Sequence, residues 1–146
     1  MAEQAKEKKK TFRLEIVTPE RVVVEEDVEG VVIPSQDGLL GILRNHAPII
    51  GGLDIGVIKY VKDGQPRYVA CGMGVFEMSE NVLRILPDTA ERGERIDVER
   101  AKQARQRAEK RLQEKAEGLD VLRAELALRR SLARLKAAEA AGKMIK

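Results

Sequence analysis

Glycine and proline recur so often between Gly38 and Val57 that this stretch cannot form the interior of a helix. Isoleucine and valine are interspersed among the glycines, and β-branched residues of this kind favour strands. The segment Asn45–Pro48 has the composition of a fixed turn. The stretch is therefore predicted to form short strands joined by tight bends.

Strand patterns extend over the rest of the first 93 residues. Phe12, Leu14 and Ile16 alternate with their neighbours on a period of two, which indicates a strand with one buried face. Valine-rich runs follow on either side of an acidic segment, Glu25–Gly30, that we interpret as a turn. Three dipeptides are predicted hairpin turns: Asp37-Gly38, Asp63-Gly64 and Glu80-Asn81. About ten short strands with no helix between them predict that residues 11–93 form an all-β domain, a flattened β-sandwich or barrel.

The pattern becomes helical after Pro87 and Gly93, which are predicted to bracket a linker. Asp97 can cap a first helix and Asp120 a second, and Gly118 separates the two. Apolar residues recur every three or four positions; they are Val98, Ala101, Ala104, Ala108, Leu112 and Ala116 in the first helix, and Leu122, Leu126, Leu128, Leu132 and Leu135 in the second. Residues 94–146 are therefore predicted to form an antiparallel α-helical hairpin that ends near Gly142. Because the first stripe is mostly alanine, we expect the hairpin to dock weakly.

Charge divides the chain in the same way. Residues 11–93 carry eight basic and thirteen acidic side chains, whereas residues 94–146 carry fifteen basic and nine acidic ones. The basic tail predicts an anionic partner or a solvated helix surface. Residues 1–10 hold four lysines and no apolar run, which predicts a disordered charged extension rather than a secretory signal. No apolar run reaches the ~18 residues of a membrane span, so we expect any membrane association to come through a partner, without direct insertion.

Catalytic and metal-binding patterns are missing from the sequence. No phosphate-binding loop of the form Gly-x-x-x-x-Gly-Lys-Ser/Thr is present, and Gly72–Gly74 lacks the third glycine of a dinucleotide fingerprint and is expected to be a turn. His46, the only histidine, has no neighbouring cysteine for a metal site, so we expect it to make a structural hydrogen bond. Cys71, the only cysteine, is predicted to be a packed thiol. The sequence thus predicts a non-catalytic protein with no required cofactor or metal.

The order of three short motifs identifies a family resemblance. Gly38–Leu43 reads Gly-x-x-Gly-Ile-Leu, His46–Pro48 follows it, and Leu53–Gly56 reads Leu-x-x-Gly. In this order the motifs resemble those of the epsilon subunit of the F-type bacterial ATP synthase, a small rotor-stalk protein. The resemblance extends from about Thr11 to about Leu135.

Four arginines of the tail are spaced so that a folded hairpin would bring them together. Arg107 lies eleven residues before Gly118 and Arg130 twelve after it, while Arg100 lies eighteen before it and Arg134 sixteen after it. In an antiparallel hairpin they would form two facing levels, roughly 6–10 Å apart at 1.5 Å per residue. Like charges repel unless an anion lies between them, and guanidinium groups suit phosphate oxygens. The same spacing is also compatible with arginines that point into water.

The resemblance favours the anion-binding interpretation, because Ile96–Ala101 matches the Ile/Leu-Asp-x-x-Arg-Ala motif of ATP-binding epsilon subunits. In such relatives the arginines would hold the phosphates, and Asp97 with the backbone near Ile96 would address the base. The ATP-binding set implied by the resemblance is Glu91, Ile96, Asp97, Arg100, Ala101, Arg107, Arg130 and Arg134. ATP would then be a regulatory ligand.

A non-catalytic rotor subunit is the function that the resemblance implies. The β-domain would bind the gamma subunit and the c-ring of the ATP synthase at the cytoplasmic face of the cell membrane, and would couple ion translocation to ATP synthesis. A folded hairpin with ATP bound would permit ATP hydrolysis. An extended hairpin would reach roughly 65 Å at 1.5 Å per residue and would inhibit hydrolysis by placing its basic helix against the alpha and beta catalytic subunits.

Two alternatives come from the residues themselves. The basic hairpin could serve a nucleic-acid-binding module as an electrostatic arm. Against this, no aromatic residue follows Arg95 to stack on bases, and acidic residues are interspersed with the basic ones. The chain could also be an adaptor or a small enzyme of the sandwich class, although the sequence offers no catalytic constellation.

Overall fold

The structure is a computed structural model that describes residues 10–114 and 117–143. Within these residues the chain forms ten strands, a short 3₁₀ turn (Gly93–Arg95) and two helices. The strands are β1 (Phe12–Val17), β2 (Val22–Val28), β3 (Gly30–Ser35), β4 (Gly38–Ile42), β5 (Ile49–Leu53), β6 (Gly56–Lys62), β7 (Gln65–Cys71), β8 (Gly74–Ser79), β9 (Val82–Pro87) and β10 (Ala90–Arg92). The helices are α1 (Val98–Glu114) and α2 (Val121–Ala140). The predicted charged extension lies outside the described residues, apart from Lys10.

The strands join into one sheet that folds back on itself. Its order is β10-β7-β6-β3-β5-β8-β9-β1-β2, and β4 pairs with β3 beside this path. All strand pairs are antiparallel except β1 with β9. The edge strand β2 contacts both β6 and β10, so the sheet is a nearly closed sandwich. The predicted all-β domain is confirmed.

Tight turns join the hairpins where the sequence predicts them. Asp63 and Gly64, with φ angles of 50° and 75°, connect β6 to β7. Glu80 and Asn81, with φ angles of 51° and 61°, connect β8 to β9. Two successive residues with positive φ give a turn whose twist matches that of the flanking strands. The third turn lies one residue earlier than predicted: Gln36 and Asp37 connect β3 to β4, and Gly38 is the first residue of β4.

The core between the two halves of the sheet is mainly aliphatic. Phe12, Leu14 and Ile16 alternate inward along β1 and are almost completely buried. Tyr60 on β6 and Phe76 on β8 are further aromatic residues of the same core. Burying each of these side chains contributes about 1.5–3 kcal/mol to the free energy of unfolding.

The acidic segment Glu25–Gly30 is not a turn, so this prediction is wrong. β2 continues to Val28 and β3 begins at Gly30. Basic side chains of other strands make an acidic strand possible here: Arg13 on β1 pairs with Glu25 at 2.6 Å, and Arg92 on β10 pairs with Glu26 at 3.5 Å. Neither partner can be recognised from the local sequence pattern.

The segment between Pro87 and Gly93 is not a plain linker, which corrects a second prediction. Ala90–Arg92 forms β10 and pairs with β7. Arg92 also donates a hydrogen bond from Nε to the carbonyl of Val23 on β2, at 3.0 Å. Because β10 and β2 are the two edges of the sheet, this arginine closes the sandwich with its side chain.

The two helices form the predicted hairpin. The carboxylates of Asp97 and Asp120 accept hydrogen bonds from backbone N–H groups three residues later, at 3.1 and 3.0 Å, so both residues are N-caps as predicted. Gly118 lies between the helices with a φ of 80°, and Gly142 follows α2 with a φ of 96°. α2 packs on β6 and β7, and α1 packs on α2.

The buried side of α2 differs from the predicted leucine stripe. Leu122 and Leu132 are 64% and 45% exposed. The buried residues are Ala124, Ser131, Ala133, Leu135, Ala137 and Ala138. Small side chains are required because α2 approaches the 3₁₀ turn closely, where a Cβ on Gly93 would lie 2.5 Å from the carbonyl oxygen of Ala137. α2 therefore docks mainly through alanine. The sequence predicted an alanine stripe for α1 and a leucine stripe for α2.

Candidate functional site: an arginine-lined cleft

A cleft of about 580 Å³ lies between the helical hairpin and the β-domain. Cys71 at the end of β7 and Thr89 just before β10 contribute to its β-domain side. Arg100 of α1 and Arg130 and Arg134 of α2 line the helical side. The cleft exists only while the hairpin is docked, because both parts of the chain form its walls.

Four of the eight residues in the predicted ATP-binding set meet in this cleft. They are Glu91, Arg100, Arg130 and Arg134. β10 supplies Glu91, so the segment predicted to be a linker is a structural part of the site. The arginines lie on two helices that the turn at Gly118 brings together.

The other four predicted residues lie outside the lining of the cleft. Ile96 and Ala101 are buried in the interface between the hairpin and the sheet, and Asp97 caps α1. Arg107 is exposed on α1, about 10 Å beyond Arg100 at 1.5 Å per residue. The spacing from Gly118 predicts that Arg107 faces Arg130, and of these two residues Arg130 lines the cleft.

Arg134 joins α2 to β10 through an ion pair within the cleft. Its Nε and Nη2 atoms both donate to Oε1 of Glu91, at 3.3 and 3.2 Å. The two side chains are 26% and 34% exposed, so water screens the pair only in part. A carboxylate thus occupies the side of Arg134 that an anionic ligand would contact.

Arg100 and Arg130 have no ion-pair partner among the described residues. Glu20 and Glu91 are the carboxylates that line the same cleft. Three guanidinium groups therefore share one cleft with two carboxylates, and one carboxylate is already paired. Guanidinium groups in this arrangement can bind phosphate or carboxylate oxygens through charge-assisted hydrogen bonds.

Several lining residues were not predicted from the sequence. Glu20 comes from the loop before β2, and Thr89 comes from the loop before β10. Ser131 also lines the cleft, and its position between Arg130 and Arg134 is the one local signal that could have predicted this. Its hydroxyl donates a hydrogen bond to the carbonyl of Leu128 at 2.8 Å. Most of the other lining residues are small residues of β7, β10 and the two helices, and their approach depends on the tertiary fold.

Lys143 makes a further contact that the sequence did not indicate. Its Nζ donates to the carbonyl oxygen of Ile96 at 2.7 Å, which ties the end of α2 to the start of the hairpin. The resemblance implied that the backbone near Ile96 would address a base. In this structure the carbonyl of that residue is hydrogen-bonded to Lys143 instead.

Gly72 shapes the β-domain side of the cleft. A Cβ at this position would lie 1.9 Å from Oδ1 of Asp88 and 2.9 Å from Oγ1 of Thr89, so a larger residue would require these side chains to move. Oδ1 of Asp88 also accepts a hydrogen bond from the backbone N–H of Thr89 at 2.7 Å. The segment Gly72–Gly74 is thus a close-packed turn, as predicted.

Cys71 and His46 have the structural roles that the sequence predicted. Burial raises the pKa of the Cys71 thiol to about 12, so it stays protonated near neutral pH. His46 donates a hydrogen bond from Nδ1 to the carbonyl of Ala47 at 2.7 Å.

Among the described residues no group of three or more His, Cys, Asp or Glu side chains could hold a metal ion. In the same part of the chain, no helix is both long and apolar enough to cross a bilayer.

Two family models match the chain in succession. Residues 11–93 match the ATP synthase delta/epsilon chain beta-sandwich domain. Residues 94–139 match the ATP synthase delta/epsilon chain long alpha-helix domain. The two matches correspond to the sandwich and to the hairpin described above.

Curated relatives match over almost their whole length. The ATP synthase epsilon chain of Desulfitobacterium hafniense strain DCB-2 is 52% identical over 128 residues, which are 88% of this chain and 96% of that one. The ATP synthase epsilon chain of Desulforamulus reducens is 49% identical over 130 residues, 89% of this chain and 98% of that one. The ATP synthase epsilon chain of Moorella thermoacetica is 50% identical over 131 residues, 89% of this chain and 98% of that one.

Solved structures share the fold at low sequence identity. A chain of the Euglena gracilis mitochondrial ATP synthase (OSCP/F1/c-ring) superposes with a TM-score of 0.74 at 21% identity, covering 90% of this chain and 81% of that one. A chain of the Tetrahymena thermophila mitochondrial ATP synthase (central stalk/c-ring) gives a TM-score of 0.51 at 13% identity, covering 90% and 96%. Together with the family models and the relatives near 50% identity, this fold establishes that the chain belongs to the ATP synthase epsilon chain family.

Proposed function

We propose that this chain is a non-catalytic rotor subunit in the central stalk of an F-type ATP synthase. In this role it couples ion translocation to ATP synthesis and inhibits ATP hydrolysis through its C-terminal hairpin. The observation that carries the proposal is the match of both domains, at about half identity and over nearly the full length, to relatives named ATP synthase epsilon chain. The subunit would be peripheral, held at the cytoplasmic face of the membrane by its partners.

An exposed apolar tip of the β-domain supports attachment to the rotor. Leu43 and Ile50 are largely exposed in and beside the loop that joins β4 to β5. Asn81 fixes this loop by accepting from the backbone N–H of Asn45 at 2.7 Å and donating from Nδ2 to its Oδ1 at 3.0 Å. A rigid apolar surface of this kind suits a protein partner. We assign it to the rotor partners, the c-ring and the gamma subunit.

The arginine-lined cleft supports a regulatory ATP site. A nucleotide bound there would touch Arg100 on α1, Arg130 on α2 and the β-domain at once, so it would bind the docked hairpin and not the open one. A ligand at 100 times its dissociation constant stabilises the state that binds it by about 2.7 kcal/mol. That amount is enough to shift the equilibrium between the open and docked states when the hairpin docks mainly through alanine.

The open state would present the basic residues of α2 to the catalytic subunits. Arg123, Arg129 and Lys136 are exposed on α2 in the docked structure. In the extended hairpin they would be joined by Arg130 and Arg134, which leave the cleft. The same arginines would therefore hold ATP in one state and contact the alpha and beta subunits in the other.

Calorimetric titration of the full chain with ATP tests the nucleotide site. Arg130→Ala should weaken binding by about tenfold or more, because charge-assisted hydrogen bonds contribute about 1.5–3 kcal/mol each. Arg123→Ala is the matched control, since Arg123 is an exposed arginine seven residues earlier on the same helix and should have no effect. Absence of binding at millimolar ATP would remove the ATP-sensing part of the proposal.

The rotor assignment needs a separate experiment with the assembled enzyme. The full chain would be added to a complex of alpha, beta and gamma subunits, and the rate of ATP hydrolysis would be measured with and without it. We expect the chain to co-purify with the complex and to lower the rate, and Arg130→Ala to remove any relief of inhibition by ATP. A chain that neither binds the complex nor changes its rate would contradict the assignment.

A further inference from the structure

Asp54 lies in the short connection between β5 and β6, and hydrogen bonds hold it in one orientation. Its backbone N–H donates to the carbonyl of Pro34 at 2.8 Å, and its own carbonyl accepts from the thiol of Cys71 at 3.6 Å. Oδ1 accepts from the backbone N–H of Ile55, again at 2.8 Å. All three contacts come from residues of the β-domain, and they leave the second carboxylate oxygen, Oδ2, for a partner outside it.

Oδ2 of Asp54 is the atom that meets the hairpin. Arg129 of α2 donates to it from Nη2 at 2.8 Å. The pair joins the β-domain to α2, and neither residue lines the cleft, although Arg129 is next to Arg130 in sequence. A helix turns by about 100° per residue, so adjacent arginines point in different directions.

The helical side of the docking surface is mostly alanine. Its buried residues are Ala101, Leu135, Ala137 and Ala138; they pack against Ala70 and Ile96, with Val57, Tyr68 and Val98 partly buried beside them. Alanine buries little surface, so each contact is weak. In such an interface even the modest contribution of a partly exposed ion pair can change how often α2 undocks.

We propose that the Asp54–Arg129 ion pair is a latch that sets how often the hairpin undocks when no ligand is bound. Two ion pairs then hold α2 in different ways. A ligand in the cleft would disturb Glu91–Arg134, whereas Asp54–Arg129 acts outside the cleft and is indifferent to the ligand. The latch extends the proposed function, because it names a contact that must break before the hairpin extends and Arg129 can face the catalytic subunits.

Hydrogen exchange of the full chain without nucleotide tests the latch. An alanine-rich helix of about twenty residues is marginally stable alone, so amides of α2 exchange faster when it is undocked. The variants are Asp54→Asn, Arg129→Gln and the double variant, and Lys136→Gln is the matched control because it removes a charge from the same helix at an exposed position. The side chains of Asp54 and Arg129 are 34% and 46% exposed, so solvent screening keeps the expected effect modest.

Each single variant should exchange about two- to fivefold faster in α2, which corresponds to about 0.4–1 kcal/mol. The double variant should match the single variants, because the same contact is lost in all three. In Lys136→Gln the amides of α2 should exchange at the wild-type rate. In every variant the amides of the β-sheet core should also exchange at the wild-type rate. Unchanged exchange in either single variant, or effects that multiply in the double variant, would overturn the latch.

Addition of ATP separates the latch from the proposed nucleotide site. Protection of α2 by ATP should persist in Asp54→Asn, because Asp54 does not line the cleft. If ATP fails to protect the wild type while Asp54→Asn still accelerates exchange, the nucleotide site is wrong and the latch stands. If ATP protects α2 of the wild type but Asp54→Asn does not accelerate exchange without ATP, the latch is wrong and the nucleotide site stands.

Discussion

Arg134 directs two nitrogen atoms, Nε at 3.3 Å and Nη2 at 3.2 Å, at one oxygen of Glu91, and so joins α2 to the last strand of the β-domain across the proposed ligand site. The contact stabilises docking in the empty cleft. It also competes with an anion for the same guanidinium group. The first effect stabilises the docked hairpin and the second weakens anion binding, and the two can be measured separately.

Glu91→Gln is expected to tighten the binding of inorganic tripolyphosphate by up to about fivefold, because it removes a carboxylate whose pairing with Arg134 contributes at most about 1 kcal/mol. Tripolyphosphate carries no base, so any contact between Glu91 and a nucleoside does not enter the measurement. Calorimetric titration gives the affinities. Glu94→Gln is the control, since Glu94 is a neighbouring exposed carboxylate outside the cleft. Amide exchange of α2 without ligand measures how much docking this variant loses. Weaker binding of tripolyphosphate by a Glu91→Gln variant that docks as well as the wild type would contradict the competition.

Arg107 allows a prediction about the length of the ligand. It lies on α1 about 10 Å beyond Arg100, outside the lining of the cleft, so only the outermost phosphate of a nucleotide could reach it. We expect Arg107→Ala to weaken the binding of ATP by no more than about fivefold, as for an exposed ionic contact. The affinity for ADP should be unchanged. Paired titrations of wild type and variant with both nucleotides measure this. An equal loss for ATP and ADP would place Arg107 beside the inner phosphates.

Local turn chemistry made much of the fold predictable. Asp63-Gly64 and Glu80-Asn81 tolerate positive φ angles, so their hairpins could be located without knowledge of the rest of the chain. The acidic part of β2 could not be recognised, because Glu26 depends on Arg92, which is 66 residues away. Distant partners of this kind are a property of the folded sheet.

The candidate site was predictable to the extent that it depends on the hairpin. Counting from Gly118 brought Arg100, Arg130 and Arg134 to one cleft, because the glycine does form the turn. The same count predicts that Arg107 faces Arg130, and the structure shows Arg107 outside the lining of the cleft. Asp54 was missed because its partner, Arg129, is 75 residues away.

The Asp54 carboxylate gives the docking of α2 a defined pH dependence. Partial burial alone raises the pKa of Asp54, but the Arg129 guanidinium and the Ile55 N–H group outweigh it and hold the pKa below its usual value. A lowered pKa in the folded state means that the stabilisation is present above the unfolded-state pKa of about 3.9, and is lost as the pH falls through the lowered value. Docking should therefore weaken below about pH 4.

Urea unfolding monitored by the helical circular dichroism signal can detect this loss. The wild type should be more stable than Asp54→Asn at pH 7, and the difference between them should shrink as the pH falls below about 4. Taking the difference removes the contribution of the other carboxylates. A difference that stays constant down to pH 3 would show that the carboxylate charge does not stabilise docking.

Gly93→Ala is expected to undock α2 without unfolding the sandwich. The added Cβ would lie 2.5 Å from the carbonyl oxygen of Ala137 and 3.0 Å from Cβ of Ala141, so the helix must move away from the 3₁₀ turn. Overpacking of this kind costs about 1–3 kcal/mol, which would raise amide exchange in α2 by about fivefold or more. Gly41→Ala is the matched control, because no atom lies within 4 Å of its added Cβ. Since the sandwich core consists of other residues, the β-strand amides should keep their protection in both variants. Faster exchange throughout the β-strands of Gly93→Ala would mean that the hairpin and the sandwich unfold as one unit, and docking could not then be regulated separately.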